Sequence, residues 1–149
     1  MAGKRVLLAA ECAAAAEHCL DVTVAYLMSR RQFGRPIGSF QALKHRAADL
    51  KVAVASAHAT ARAAVWTAAS DPAALAVLAP LAALHCARTF VEVADEMIQL
   101  HGGIGFTWEH EAHLYLKRAK STQLLLGPVS ALRAEIGAVA GLLPDRPGG

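Results

Sequence analysis

Residues 40–70, FQALKHRAADLKVAVASAHATARAAVWTAAS, decide the fold class. Leu43, Ala47, Leu50, Val54, Ala57, Ala61, Ala64 and Ala68 follow one another in steps of four and three, the spacing of one face of an α-helix. Beyond Val54 that seam is alanine throughout. Side chains so small leave gaps unless a neighbouring backbone comes near, so the seam calls for an antiparallel helix packed closely against it. Ser39 reads as the N-cap of this helix. Asp71-Pro72 reads as the turn after it, with Asp capping the next helix and Pro at its first position.

Outward from there the pattern stays helical. Upstream, Arg5 to about Arg30 holds no Gly or Pro and reads as one long helix, ended by Gly34, Pro36 and Gly38. Downstream, a third helix runs to about Leu100, with a kink or restart expected near Pro80. The glycine-rich stretch that follows leads into a short helix from about Glu109 to Arg118. After Gly127-Pro128 a last helix is expected from Val129 to Leu143. No strand-like alternation and no internal repeat occurs. The class is all-α, an antiparallel helix bundle over residues 1–143, with 144–149 (PDRPGG) a frayed tail.

A chain of 149 residues is one domain's worth, long enough to bury a core. Its residues are 55% hydrophobic and only 18% charged, which leaves apolar surface for a partner. The net charge of +3 comes with no basic tract, and this argues against nucleic acid. The cysteines Cys12, Cys19 and Cys86 are odd in number and lie in helical patterns. Cys12 and Cys19, one heptad apart, share a helix face, and no spacing suits zinc, so buried free thiols in a reducing cytoplasm are expected. Lys4 and Arg5 before Val6–Ala10 faintly echo a signal peptide, but Glu11 interrupts the apolar run. The longest uncharged segment, Pro72 to Ala87, is too short for a membrane span and contains Pro80. The expectation is a soluble, cytoplasmic protein.

Two clusters could carry chemistry. In residues 99–127, QLHGGIGFTWEHEAHLYLKRAKSTQLLLG, Gly102, Gly103 and Gly105 permit close backbone approach, Phe106 and Trp108 add flat apolar area, and Lys117, Arg118 and Lys120 add positive charge. The stretch reads either as a helix C-cap and turn or as a loop for a nucleotide-like or anionic cofactor. In the second cluster Arg30, Arg31 and Arg35 surround Phe33. Guanidinium forks bind phosphate and an aromatic stacks on a base, yet basic residues at a helix C-terminus also complement its dipole. His110 and His113 share a helix face near His101 and Glu109, but HEAH is not a zinc-protease spacing and no matching acidic cluster exists, so no metal is expected. No carboxylate is marked by its context as a general base, and Ser39, Ser70 and Ser121 lack a nucleophile elbow.

Taken in order, RRQFGRPIGSFQALKH (30–45) and QLHGGIGFT (99–107) resemble the C-terminal helical domain of acyl-CoA dehydrogenases. The likeness covers Lys4 to about Leu143. The resemblance implies FAD-dependent α,β-dehydrogenation of an acyl-CoA thioester, in which a carboxylate takes the α proton and a hydride passes to the flavin. The full family fold adds an N-terminal helical domain and a middle β domain, so this chain corresponds to a domain, a fragment or a truncated relative. By match, Arg30 and Phe33, with Gln32 between them, resemble residues that hold the FAD pyrophosphate and adenine across the dimer interface. Gln99, Gly102 and Gly103 resemble the loop that meets the same dinucleotide from the neighbouring subunit.

The departures concern the base. In many members it is a Glu soon after the short helix, where this chain has Leu126, and the flavin-contacting Thr beyond it falls on Pro128. Other members place it near the start of the first helix, where this chain has Lys4. Neither Leu nor a protonated Lys abstracts a proton, so no catalytic residue is assigned. Glu109 and Glu111 are the only acids near the glycine loop. Some actinobacterial relatives acting on steroid side chains assemble from two unlike subunits of which one carries the base, and this chain is similar to the base-less partner. The expected partners are further copies of the chain or a longer acyl-CoA dehydrogenase subunit, with acyl-CoA bound only in the full assembly. The alternative is a helical interaction module that no longer binds flavin.

Overall fold

In the computed structural model, which describes residues 1–107 and 109–142, three long helices make the body of the molecule. They are α1 (Ala2–Ser29), α2 (Gln41–Ser70) and α3 (Pro72–His101), followed by the shorter α4 (Ala112–Leu126) and α5 (Val129–Val139). At 1.5 Å per residue the long helices are each about 45 Å from end to end. α3 is the central one, packing against α1, α2, α4 and α5. By length and composition the run Pro72–Gly105 could also cross a bilayer. Here Phe90, Val93 and Met97 of that run are buried in the bundle, while Leu81 and Ile104 are exposed.

The alanine seam of α2 lies where its spacing puts it. Leu50, Val54, Ala57, Ala61 and Ala64 are buried, Leu43 and Ala47 pack on the core's edge, and only Ala68 reaches the surface. Ala9, Ala13 and Ala16 of α1 and Ala79, Ala82 and Ala87 of α3 answer it from across the core. Small residues on all three helices let the backbones approach, while Leu20, Phe90 and Met97 fill the wider ends. Cys12, Cys19 and Cys86 are buried free thiols. Burial pushes Cys12 up to about 11 and Cys19 and Cys86 up to about 12, so all three stay protonated and unreactive.

Several element boundaries differ from the sequence reading. Ser39 does not cap α2: its hydroxyl donates to the Pro36 carbonyl at 2.7 Å inside a 3₁₀ turn, and the helix starts at Gln41 after Phe40. α3 runs unbroken through Pro80 rather than restarting there. α4 begins later than expected and continues to Leu126, where Gly127 ends it at φ 85°. His110 therefore lies ahead of the helix and shares no helical face with His113. Two-residue strands, β1 (Arg31–Gln32) and β2 (Arg35–Pro36), form a small hairpin that periodicity did not reveal. Asp71 caps α3 as expected, its Oδ1 accepting from the amides of Ala73 and Ala74 at 3.0 Å each. Trp108, residue 143 and the 144–149 tail lie outside the described residues.

Ion pairs tie the outer helices to the core. Arg5 of α1 grips Glu135 of α5 with both guanidinium nitrogens at 2.5 and 2.9 Å. Arg118 of α4 reaches Glu11 of α1, and Arg46 of α2 reaches Glu96 of α3. Pairs of this kind near the surface add little stability.

Candidate functional site

The site is built where α1 ends and α3 ends. The Arg30 amide donates to the Tyr26 carbonyl at 2.9 Å, closing α1, and the Arg30 carbonyl accepts from the Ile37 amide at 2.8 Å, closing the hairpin onto it. Between β1 and β2 the two loop residues, Phe33 and Gly34, both have positive φ (52° and 76°), the combination found in type I′ hairpin turns. Asn or Gly suits the first of these positions, whereas a bulky aromatic there is strained. The turn is braced all the same: the Arg31 guanidinium donates to the Gly34 carbonyl at 2.6 Å, Phe33 meets Phe40 edge-on at 6.3 Å, and the Arg35 guanidinium lies 3.9 Å over the Phe40 ring. The outcome is an aromatic side chain that is 90% exposed and held away from the core.

Across from the hairpin, α3 ends in Gln99-Leu100-His101, and Gly102 turns the chain at φ 60°. A Cβ on Gly102 or Gly103 would meet nothing within 4 Å, so both present bare backbone to open space. Gly105 differs: a Cβ there would lie 2.5 Å from the Ile98 carbonyl oxygen, so this glycine lets the 3₁₀ turn Gly102–Phe106 pack onto α3. Gly102 thus both caps α3 and faces open space, whereas Gly105 serves packing alone.

Between these two ends lies a groove of about 700 Å³. Arg30, Gln32, Phe33, Gln99, Gly102 and Gly103 all line it, although sequence places them at two distant points. Tyr26, Phe40 and His101, the last weighed from sequence only as a possible neighbour in a metal site, complete it. Tyr26 was within reach of sequence reasoning, since it lies one helical turn before Arg30 on the same face. His101 and Tyr26 stack at 4.3 Å and form the floor of the groove. Among the described residues no carboxylate lines it and none pairs with Arg30. A free guanidinium, an exposed aromatic and Cβ-free backbone facing one space suit a ligand that carries both anionic oxygens and a flat ring.

The positions where a base was sought lie elsewhere. Lys4 is exposed near the start of α1. Leu126 ends α4, half-buried in a crevice shared with Leu84, Ala87 and Leu132. Glu111 faces His18 at 3.6 Å, and Glu109 is exposed ahead of α4. Among the described residues no group of His, Cys, Asp or Glu is arranged to hold a metal. His110 instead tilts against His101 at 4.4 Å, and its Nδ1 accepts from the Ala112 amide at 3.1 Å.

Comparison with known proteins follows the same lines. The sequence model described as acyl-CoA dehydrogenase, C-terminal domain, matches residues 1–141. The chain is 56% identical over 129 residues to acyl-CoA dehydrogenase IpdE2 of Mycobacterium tuberculosis, covering 86% of this chain and 39% of the relative. It is 54% identical over 123 residues to IpdE2 of Mycolicibacterium smegmatis, covering 83% of this chain and 38% of the relative. The chain thus spans about two-fifths of the length of these relatives. Among solved structures, the ChsE4-ChsE5 complex from Mycobacterium tuberculosis superposes with a TM-score of 0.85 at 32% identity, over 94% of this chain and 38% of that one.

Proposed function

The chain belongs to the acyl-CoA dehydrogenase family, as its C-terminal domain, and from that premise we propose that it supplies the nucleotide-holding part of a FAD site shared between subunits. The observation that carries this reading is the groove in which Arg30, Gln32, Phe33, Gln99, Gly102 and Gly103 converge. Arg30 holds the pyrophosphate, Phe33 offers its ring to the adenine, and the backbone at Gly102 and Gly103 lets the dinucleotide lie close. Gln32 and Gln99 supply amide hydrogen bonds at either side. FAD, when bound, provides the hydride acceptor for α,β-dehydrogenation of an acyl-CoA thioester.

The proton must be taken by another group. Leu126 has no ionisable atom, and Lys4 is an amine exposed near the start of α1. We therefore assign the base to other sequence, as in a longer dehydrogenase subunit, with Glu109 and Glu111 the alternatives within this chain. That a related structure is a complex of ChsE4 with ChsE5 supports an assembly of unlike subunits. The exposed Leu7, Val52, Trp66 and Leu124 offer apolar surface for such contacts. Three buried, unpaired thiols fit a cytoplasmic setting.

The test is to co-purify the chain from its own host and record the absorbance of what elutes. A yellow complex containing a longer dehydrogenase-like subunit is expected. The Arg30→Ala variant should hold flavin about tenfold to a hundredfold less tightly, as for loss of a charge-assisted hydrogen bond. A colourless oligomer of the chain alone, from flavin-replete cells, would overturn the reading.

A further inference from the structure

His101 lines the groove but has no role in the scheme above. Its ring is 3% exposed, held between Tyr26 at 4.3 Å and His110 at 4.4 Å. Nδ1 lies 2.7 Å from the Met97 carbonyl oxygen. A carbonyl can only accept, so Nδ1 carries the hydrogen. Burial lowers the proton affinity of the ring and the neighbouring His110 adds to this, against smaller opposing effects of Met97 and Glu111. A neutral ring with its hydrogen on Nδ1 has a bare lone pair on Nε2. None of the described residues donates to that nitrogen. It is the ring nitrogen that Met97 leaves without a hydrogen bond, on a residue that lines the groove.

We propose that Nε2 of His101 is a fixed hydrogen-bond acceptor for the nucleoside half of the ligand, taking a hydrogen from the adenine exocyclic amine or a ribose hydroxyl. The inference rests on the dinucleotide reading and goes beyond it by naming what selects a nucleoside over a bare diphosphate. Arg30 attracts any anionic oxygen. Gln32 and Gln99 can turn either end of their amides to a ligand and so discriminate weakly. His101 is held in place, because Met97 fixes its tautomer while the stack on Tyr26 and the tilted contact with His110 hold its plane. Phosphate oxygens, which have no hydrogen to offer, meet lone pair against lone pair at this position. A hydroxyl or amine is welcome there.

The probes are ADP, inosine diphosphate, 2′-deoxyadenosine diphosphate and inorganic pyrophosphate, added to the full chain with ¹⁵N-labelled histidine. ADP should move the His101 Nε2 resonance, and pyrophosphate should leave it in place. Loss of the movement with inosine diphosphate identifies the amine as donor. Loss with the 2′-deoxy compound identifies the 2′-hydroxyl, and survival with both identifies the 3′-hydroxyl. The His101→Phe variant keeps a flat ring in the stack and removes the acceptor. It should bind ADP about tenfold more weakly and pyrophosphate unchanged, while His101→Gln recovers part of the loss. Equal ADP affinity in His101→Phe and wild type, or equal Nε2 movement with ADP and pyrophosphate, overturns the role of His101 and leaves the dinucleotide site standing. If Arg30→Ala binds ADP as well as wild type does, the dinucleotide reading fails and this inference goes with it.

Discussion

Gly103 and Gly105 stand two positions apart and do opposite things. A methyl at Gly105 would press on the Ile98 carbonyl oxygen at 2.5 Å and on His101 Cβ at 3.1 Å, and helix backbone cannot step aside. Gly105→Ala should cost about 1–3 kcal/mol in urea denaturation, the usual range for overpacking. Gly103 has open space around it and no positive φ, so Gly103→Ala should stay within about 0.5 kcal/mol of wild type and yet weaken ADP binding. The pair separates fold from site, with denaturation and nucleotide titration as the two readouts. Equal stability of the two variants would show that the turn yields where the packing says it should not. His101 carries a pH signature as well. Its folded proton affinity lies below the ordinary histidine value of about 6.5, so just below that pH the unfolded chain binds more protons than the folded one. Stability should therefore fall as pH drops through about 6.5 towards the lower folded value. Thermal midpoints of His101→Phe should show a shallower acid slope than wild type. Both features were half-legible in the sequence. The glycines announced a close approach, but only the neighbour at each Cβ tells a packing glycine from one facing open space.

Among the elements, the starts of α2 and α3 show what a local signal can decide. Asp71 meets two free amides at the start of α3, with Pro72 pre-set behind it. Asp71→Ala should cost about 1 kcal/mol, and Asp71→Asn should recover most of it, as measured by urea midpoint. No change in Asp71→Ala would mean that the first turn of α3 is frayed in solution. At the other end of α2, Ser39 carried the same N-cap signal, but its hydroxyl is drawn into the 3₁₀ turn by the Pro36 carbonyl. Propensity could not foresee that rival acceptor, because the hairpin that presents it is only two residues per strand. α4 was read short for a different reason. Nothing in residues 119–126 breaks a helix, and it runs on until Gly127 takes a left-handed φ. Pro80, an internal breaker by rule, is tolerated inside α3, where it is buried in the core.

At the scale of the whole molecule, an alanine-lined core holds three thiols on two helices, Cys12 and Cys19 on α1 and Cys86 on α3. Their folded pKa values are raised from 9.0 to about 11 or 12, so the folded state keeps protons that the unfolded state releases. The stability this represents is full below about 9 and is lost as pH climbs from there towards 11 or 12. Denaturation midpoints should decline over that alkaline range, and replacing all three cysteines with alanine should flatten the decline even if it lowers the overall value. An unchanged slope would show that lysine and tyrosine titration governs alkaline unfolding instead. The sequence by itself determined the all-α bundle, its three long helices and the two motifs that belong to the site. These follow from helical periodicity, from Gly and Pro punctuation, and from residue chemistry that acts over a few positions. Only the tertiary structure decided that Arg30, Phe33, Gln99, Gly102 and Gly103 face one groove, that Tyr26 and His101 form its floor, and that Leu126 and Lys4 stand outside it. Those facts depend on how α1 and α3 lie against each other, which is set by packing between residues far apart in the chain.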